Sequence, residues 1–126
     1  MRPTWRELVA VLIGGLLGTG ARLAIDTVVG QPVSTLAINV TGSFALGLLV
    51  ARLWSSAAPW LRAGLGAGLL GSFTTFSAFA VTLVELGFTW GAALYLVLTV
   101  GLGLVAAWAG LRIGSRLVPP IDGGTE

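Results

Sequence analysis

Four apolar stretches, residues 8–29, 33–54, 60–86 and 88–113, take up nearly the whole of a 126-residue chain. Each is long enough for the ~20 residues that a helix needs to cross the hydrocarbon of a bilayer. Little is left to build a water-facing surface: 56% of the residues are hydrophobic, 10% are charged and the mean hydropathy is +0.95. The connections, Gly30-Gln31-Pro32, Ser55-Ser56-Ala57-Ala58-Pro59 and a tight turn near Gly87, are too short to hold another domain. The expectation is an all-α membrane protein: a single four-helix transmembrane domain over residues 1–118, followed by a disordered tail at 119–126. Arg2 and Arg6 ahead of an apolar run resemble the start of a signal peptide. The apolar run is long for a signal core, however, and Arg22 stands where a small-residue cleavage site belongs, so this segment reads as the first span.

Charge placement narrows the class. With four spans both termini lie on one side with the middle loop, so Arg2, Arg6, Arg52, Arg62, Arg112 and Arg116 share that side while Arg22 is nearer the other. The positive-inside rule then puts both termini in the cytoplasm, in a multi-pass protein of the cell membrane. The arginines are spread over four places flanking helices, which suits topology and headgroup anchoring in the lipid bilayer and not a nucleic-acid patch. Cysteine and histidine are absent, removing thiol nucleophiles, zinc sites and imidazole proton shuttles, so no enzyme activity is expected. Glu7, Asp26 and Glu85 all fall near span ends, and no carboxylate sits at mid-membrane to carry protons or neutralise a cationic substrate. That separates the chain from the small multidrug resistance transporters, which use a glutamate deep in the first helix, where this chain reads Leu12-Ile13-Gly14-Gly15-Leu16.

The polar residues inside the spans are few and clustered. Gly71-Ser72-Phe73-Thr74-Thr75-Phe76-Ser77-Ala78-Phe79 places hydroxyls and phenyl rings at the centre of the third span, and a hydroxyl in hydrocarbon must find a partner. Two readings stay open there: a helix that unwinds after Gly71 and turns carbonyls toward an ion, or an intact helix whose Ser and Thr bond to carbonyls one turn back. Asn39, inside the second span, has Thr35 and Ser43 on the same helical face. Its amide serves either as glue between helices or as a donor to an anion in a pore wall. Arg22 either snorkels to the headgroups or supplies positive potential at an aqueous mouth. Glycine and alanine pairs four apart, such as Gly14/Gly18, Gly64/Gly68 and Gly110/Gly114, predict close backbone packing between helices. Four short helices leave little width for both a pore and lipid-facing walls, so oligomerisation is expected.

The residues that follow carry a resemblance covering essentially the whole chain. They are Gly14-Gly15-Leu16-Leu17-Gly18-Thr19-Gly20-Ala21-Arg22 in the first span, Thr35 to Gly47 with its Asn39-Val40-Thr41-Gly42-Ser43-Phe44 in the second, and Gly68 to Phe79 in the third. The chain resembles the bacterial fluoride channels of the Fluc/CrcB family. That resemblance implies an antiparallel, dual-topology-type dimer with two narrow fluoride pores, a broken third helix, and one structural Na+ that is not transported. By position it implies Phe76, Phe79 and Asn39 as pore-lining residues, Thr75 and Ser77 as hydroxyls beside the pathway, and the carbonyls of Gly71 and Thr74 as sodium ligands. Two departures stand out: Tyr95 and Thr99 are followed by Gly103 where the family often continues a line of hydroxyls, and Ala78 replaces a common threonine. The implied function is passive fluoride export, with the membrane potential driving out the anion formed when hydrogen fluoride enters and dissociates. The alternatives are a small multidrug-type transporter and a non-conducting membrane assembly protein. Six arginines against one should insert nearly all copies the same way, so the partner in the dimer is either a second copy or an oppositely oriented paralogue.

Overall fold

The computed structural model describes residues 2–117, so the expected tail at 119–126 lies outside the described residues. Four helices are long and apolar enough to cross a membrane: α1 (Trp5–Val29), α2 (Val33–Leu53), α3 (Pro59–Leu86) and α4 (Trp90–Arg116). Local chemistry marks the ends of α1, α3 and α4, while α2 has no side-chain cap. Thr4 caps α1 through a reciprocal pair in which Glu7 N–H donates to Thr4 Oγ1 (3.3 Å) and Thr4 N–H donates to Glu7 Oε2 (2.7 Å). Thr89 caps α4 by accepting from Ala92 N–H at 3.2 Å. Pro59 sits in the first turn of α3, where its missing N–H costs nothing. Gly30 and Gly87 follow α1 and α3 with φ of 74° and 60°, a region that side chains disfavour.

The helices associate as two seams of parallel neighbours. Along α1 and α3, a Cβ on Gly14 would overlap the carbonyl oxygen of Gly64, and one on Gly18 would overlap that of Leu69. Along α2 and α4, a Cβ on Gly47 would overlap the Ala107 carbonyl and one on Gly110 that of Phe44. Lipid offers no hydrophobic force to join helices, so contact must come from backbones close enough for dispersion over a long line. Where α3 runs along α1 it also changes pitch: Ala63–Leu70 is wound as a π-helix, with Gly71 N–H reaching back to Gly66. Leu8, Leu12, Leu16 and Val97 are exposed on the outer faces of the bundle, and very few large side chains are buried among the described residues.

Three arginines at the terminal end of the bundle lie over tryptophan rings: Arg6 on Trp5 (5.7 Å), Arg62 on Trp54 (6.0 Å) and Arg112 on Trp108 (5.2 Å). Arg62 Nη1 also donates to the Trp54 carbonyl at 2.9 Å, tying the end of α2 to the start of α3. These pairs put aromatic and cationic groups at one interface, as anchoring requires.

The seams carry a direct test. Gly110→Val drives a side chain into the Phe44 carbonyl and is expected to cost roughly 3 kcal/mol, the upper range for overpacking. Gly101→Val meets no atom within 4 Å and is expected to be tolerated. Thermal unfolding of both variants in detergent micelles distinguishes them; equal melting temperatures would contradict the seam.

Candidate functional site at the helix break

The third span is broken, and the break falls inside the hydroxyl run. Gly71 is still helical (φ −64°, ψ −30°), so the unwinding is three residues later than the glycine that heads the run. Thr74 (φ −72°, ψ 153°) and Thr75 (φ −143°, ψ 118°) are extended, and helix resumes at Phe76–Leu86. A break at this depth exposes backbone groups that lipid cannot satisfy.

Asn39 supplies the missing partners. Thr75 N–H donates to Asn39 Oδ1 at 2.8 Å, and Asn39 Nδ2 donates to the Thr75 carbonyl at 3.0 Å. A single side-chain amide thus satisfies both backbone groups of one extended residue. Gly42, nearly one turn further along α2, makes the approach feasible, since a Cβ there would overlap Thr74 Cγ2. The clamp leaves Asn39 with one N–H to offer elsewhere, not the two that its sequence position alone allows. It also takes Thr75 N–H away from the Gly71 carbonyl, its acceptor in an unbroken helix.

The two limbs of α3 meet the break differently. The first ends in carbonyls; Leu70 O accepts from both Thr74 N–H (3.0 Å) and Thr74 Oγ1 (2.9 Å). The second starts with Thr75 as its cap, Ala78 N–H donating to Thr75 Oγ1 at 3.2 Å and Ser77 Oγ lying 3.1 Å from the same oxygen. Partial negative charge therefore gathers at one side of the break and partial positive charge at the other.

Most of the residues expected to act together are brought together. Asn39, Gly71, Thr74, Thr75, Phe76, Phe79 and Thr99 line a cavity of about 480 Å³, and Ser77 and Tyr95 are not in its lining. Phe79 is buried, with its ring centroid 5.7 Å from that of Phe76 and 5.7 Å from that of Tyr95. Phe76 is 79% exposed and faces outward from the single chain. Arg22 is half-buried on α1 and does not line this cavity. Ser43, Gly42 and Gly103 do line it and were not among the expected site residues. The Thr35/Asn39/Ser43 stripe was visible in the sequence, but its pairing with α4 was not.

A set of hydroxyls beside the cavity lacks partners. Thr99 Oγ1 in the cavity lining, and Tyr95 Oη and Thr35 Oγ1 one helical turn from lining residues, are buried and make no hydrogen bond among the described residues; the same holds for Ser34 Oγ and Asp26 Oδ1 elsewhere. Each buried hydroxyl left unpaired costs about 1–3 kcal/mol, and each has an O–H to donate to an acceptor that enters. A small anion, which accepts hydrogen bonds and donates none, is what such a wall complements.

Comparison with known proteins places the chain in a family. Residues 9–111 match the family described as "CrcB-like protein, Camphor Resistance (CrcB)". The chain is 41% identical over 115 residues to the "Fluoride-specific ion channel FluC" of Paracoccus denitrificans, covering 85% of this chain and 93% of that protein. It is 44% identical over 119 residues to the protein of the same name from Cereibacter sphaeroides, covering 83% and 91% respectively. It is 38% identical over 123 residues to that of Rhizobium meliloti, covering 89% and 98%. This chain belongs to the CrcB family.

Proposed function

We propose that the chain is a subunit of a fluoride-specific channel that lets the anion leave the cell down its electrochemical gradient. The observation that carries this reading is the line of buried hydroxyls without acceptors beside a clamped helix break. Fluoride is small and strongly hydrated, and a pathway must replace its water with donors. Tyr95 and Thr99 offer hydroxyls, and Asn39 offers its remaining N–H. Phe76 and Phe79 add ring edges whose partial positive charge attracts an anion without holding it too tightly to leave. Thr75 and Ser77 place hydroxyls at the positive end of the second limb. No bond is made or broken in this process, so the protein is read as a channel and not as an enzyme.

The functional unit is read as an antiparallel dimer. The cavity is open toward the outside of the single chain and Phe76 protrudes beside it, as expected where a second subunit completes the wall. The residues at the end of the first limb also suit a sodium ion. Gly71 has lost the N–H of Thr75 and Thr74 is extended, so both carbonyls suit a hard cation at the negative end of a helix limb. Bound there, sodium would supply positive charge that offsets the partial negative charge at the end of the first limb. The arginine asymmetry favours a single orientation with both termini in the cytoplasm, which makes an oppositely oriented paralogue the natural partner and a second copy the alternative.

Two measurements test this. Liposomes loaded with fluoride and containing the purified chain are expected to release fluoride, read by an ion-selective electrode, and to retain chloride under the same gradient. Phe76→Ile is expected to slow release about tenfold or more without changing the elution volume of the assembly, and Asn39→Ala, which also removes the clamp on Thr75, is expected to slow it at least as much. Full rates in both variants would refute the site assignment, and silent wild-type liposomes would favour a scaffold or a strict heterodimer. For orientation, the chain has no native cysteine, so a cysteine added ahead of Met1 reports its own side alone. A membrane-impermeant thiol reagent is expected to label it only from the cytoplasm, and equal labelling from both faces would overturn the single orientation.

A further inference from the structure

α2 and α4 run parallel, and their polar residues keep step. Thr35, Asn39 and Ser43 recur every four residues on α2, while Tyr95, Thr99 and Gly103 recur every four on α4 at one constant offset in numbering. Four residues of helix rise about 6 Å, so the two stripes form successive levels of a ladder. On the α4 side the first two levels carry buried hydroxyls without partners, Tyr95 Oη and Thr99 Oγ1, and the third carries no side chain at all. The gap is not empty of chemistry. A Cβ built on Gly103 would lie 3.6 Å from Ser43 Oγ, and both residues line the same cavity as Asn39 and Thr99.

Ser43 is also placed unlike a hydroxyl that merely satisfies itself. Two residues earlier, Thr41 bonds back to the Ala37 carbonyl at 2.7 Å and to that of Ile38 at 3.2 Å. Ser43 makes no such bond among the described residues, and its hydroxyl borders the cavity. A serine in lipid without a back-bond has its O–H available to an acceptor that enters from outside the helix.

We infer that Ser43 is a further anion-coordinating residue, its hydroxyl crossing from α2 to occupy the level that Gly103 leaves vacant on α4. The inference rests on the fluoride-channel reading. It assigns the fluoride ligand at the third level to the hydroxyl of one named residue, and it makes Gly103 the position that admits that hydroxyl. A side chain at residue 103 meets Ser43 Oγ only at ordinary contact distance, so a serine fits there without displacing the backbone.

The geometry supplies a swap as its test. Fluoride release from liposomes is compared for wild type, Ser43→Ala, Gly103→Ser and the double variant Ser43→Ala/Gly103→Ser, with elution volume recorded for each. Ser43→Ala is expected to slow release about tenfold, as for one hydrogen bond to an ion, and the double variant to recover most of the wild-type rate because the hydroxyl returns to the same level from the other helix. Wild-type rates in Ser43→Ala would overturn the inference while leaving the channel reading intact. Slowing that Gly103→Ser does not relieve, or a shifted elution volume in Ser43→Ala, would make Ser43 a packing or interface residue and overturn it equally. If wild type itself releases no fluoride, the failure lies with the channel reading.

Discussion

Two hydrogen bonds from one amide hold this structure's functional feature in place. A helix broken in mid-membrane exposes N–H and C=O groups at several kcal/mol each, and water is not there to take them. Asn39 answers for both groups of Thr75 at once, as a neighbouring strand would. Everything nearby follows from that pairing: the Gly71 carbonyl is released from its ladder, Thr75 is turned to cap the second limb, and Phe76 and Phe79 start a new helix at the cavity wall. Truncating the asparagine therefore removes more than a pore ligand, because it takes away what makes an extended Thr75 tolerable.

The clamp requires helices that approach more closely than side chains ordinarily allow. Gly42 brings α2 against Thr74, Gly47 and Gly110 join α2 to α4, and Gly14 and Gly18 seat α1 on the first limb of α3. The glycine content is thus tied to function through packing, since each seam fixes the register of polar groups that line the cavity. The π-wound stretch at Ala63–Leu70 is itself the α3 side of the α1 seam and leads into the break, so its change of pitch alters which residues of the first limb face the cavity.

Much of the fold was legible in the residues because hydrocarbon leaves so few options. The four apolar stretches lie within a few residues of the observed helices, while the run from Ser72 to Ser77 left a broken and an intact third helix both open and only the family resemblance implied the break that the structure has. The exact point of unwinding was less legible: the sequence allowed it anywhere in the run after Gly71, and the extended residues are Thr74 and Thr75, selected by a partner on another helix. That partner could not be read from either segment alone, since Asn39 and Thr75 are brought together only by the way α2 crosses α3. The same holds for Ser43 and Gly103, whose relation depends on the register of two parallel helices. Arg22 was open to two readings, headgroup snorkelling or an aqueous mouth, and the fold places it on α1 outside the cavity lining, which decides for neither.

The backbone of Thr75 offers the most direct check. Carbon-13 chemical shifts of labelled threonines, measured by solid-state nuclear magnetic resonance on the protein in bilayers, report whether each residue is helical or extended. The account predicts extended values for Thr74 and Thr75 in the wild type and a move of Thr75 toward helical values in Asn39→Leu. Helical shifts for Thr75 in the wild type would mean an unbroken third helix, and the clamp with all that is built on it would be wrong.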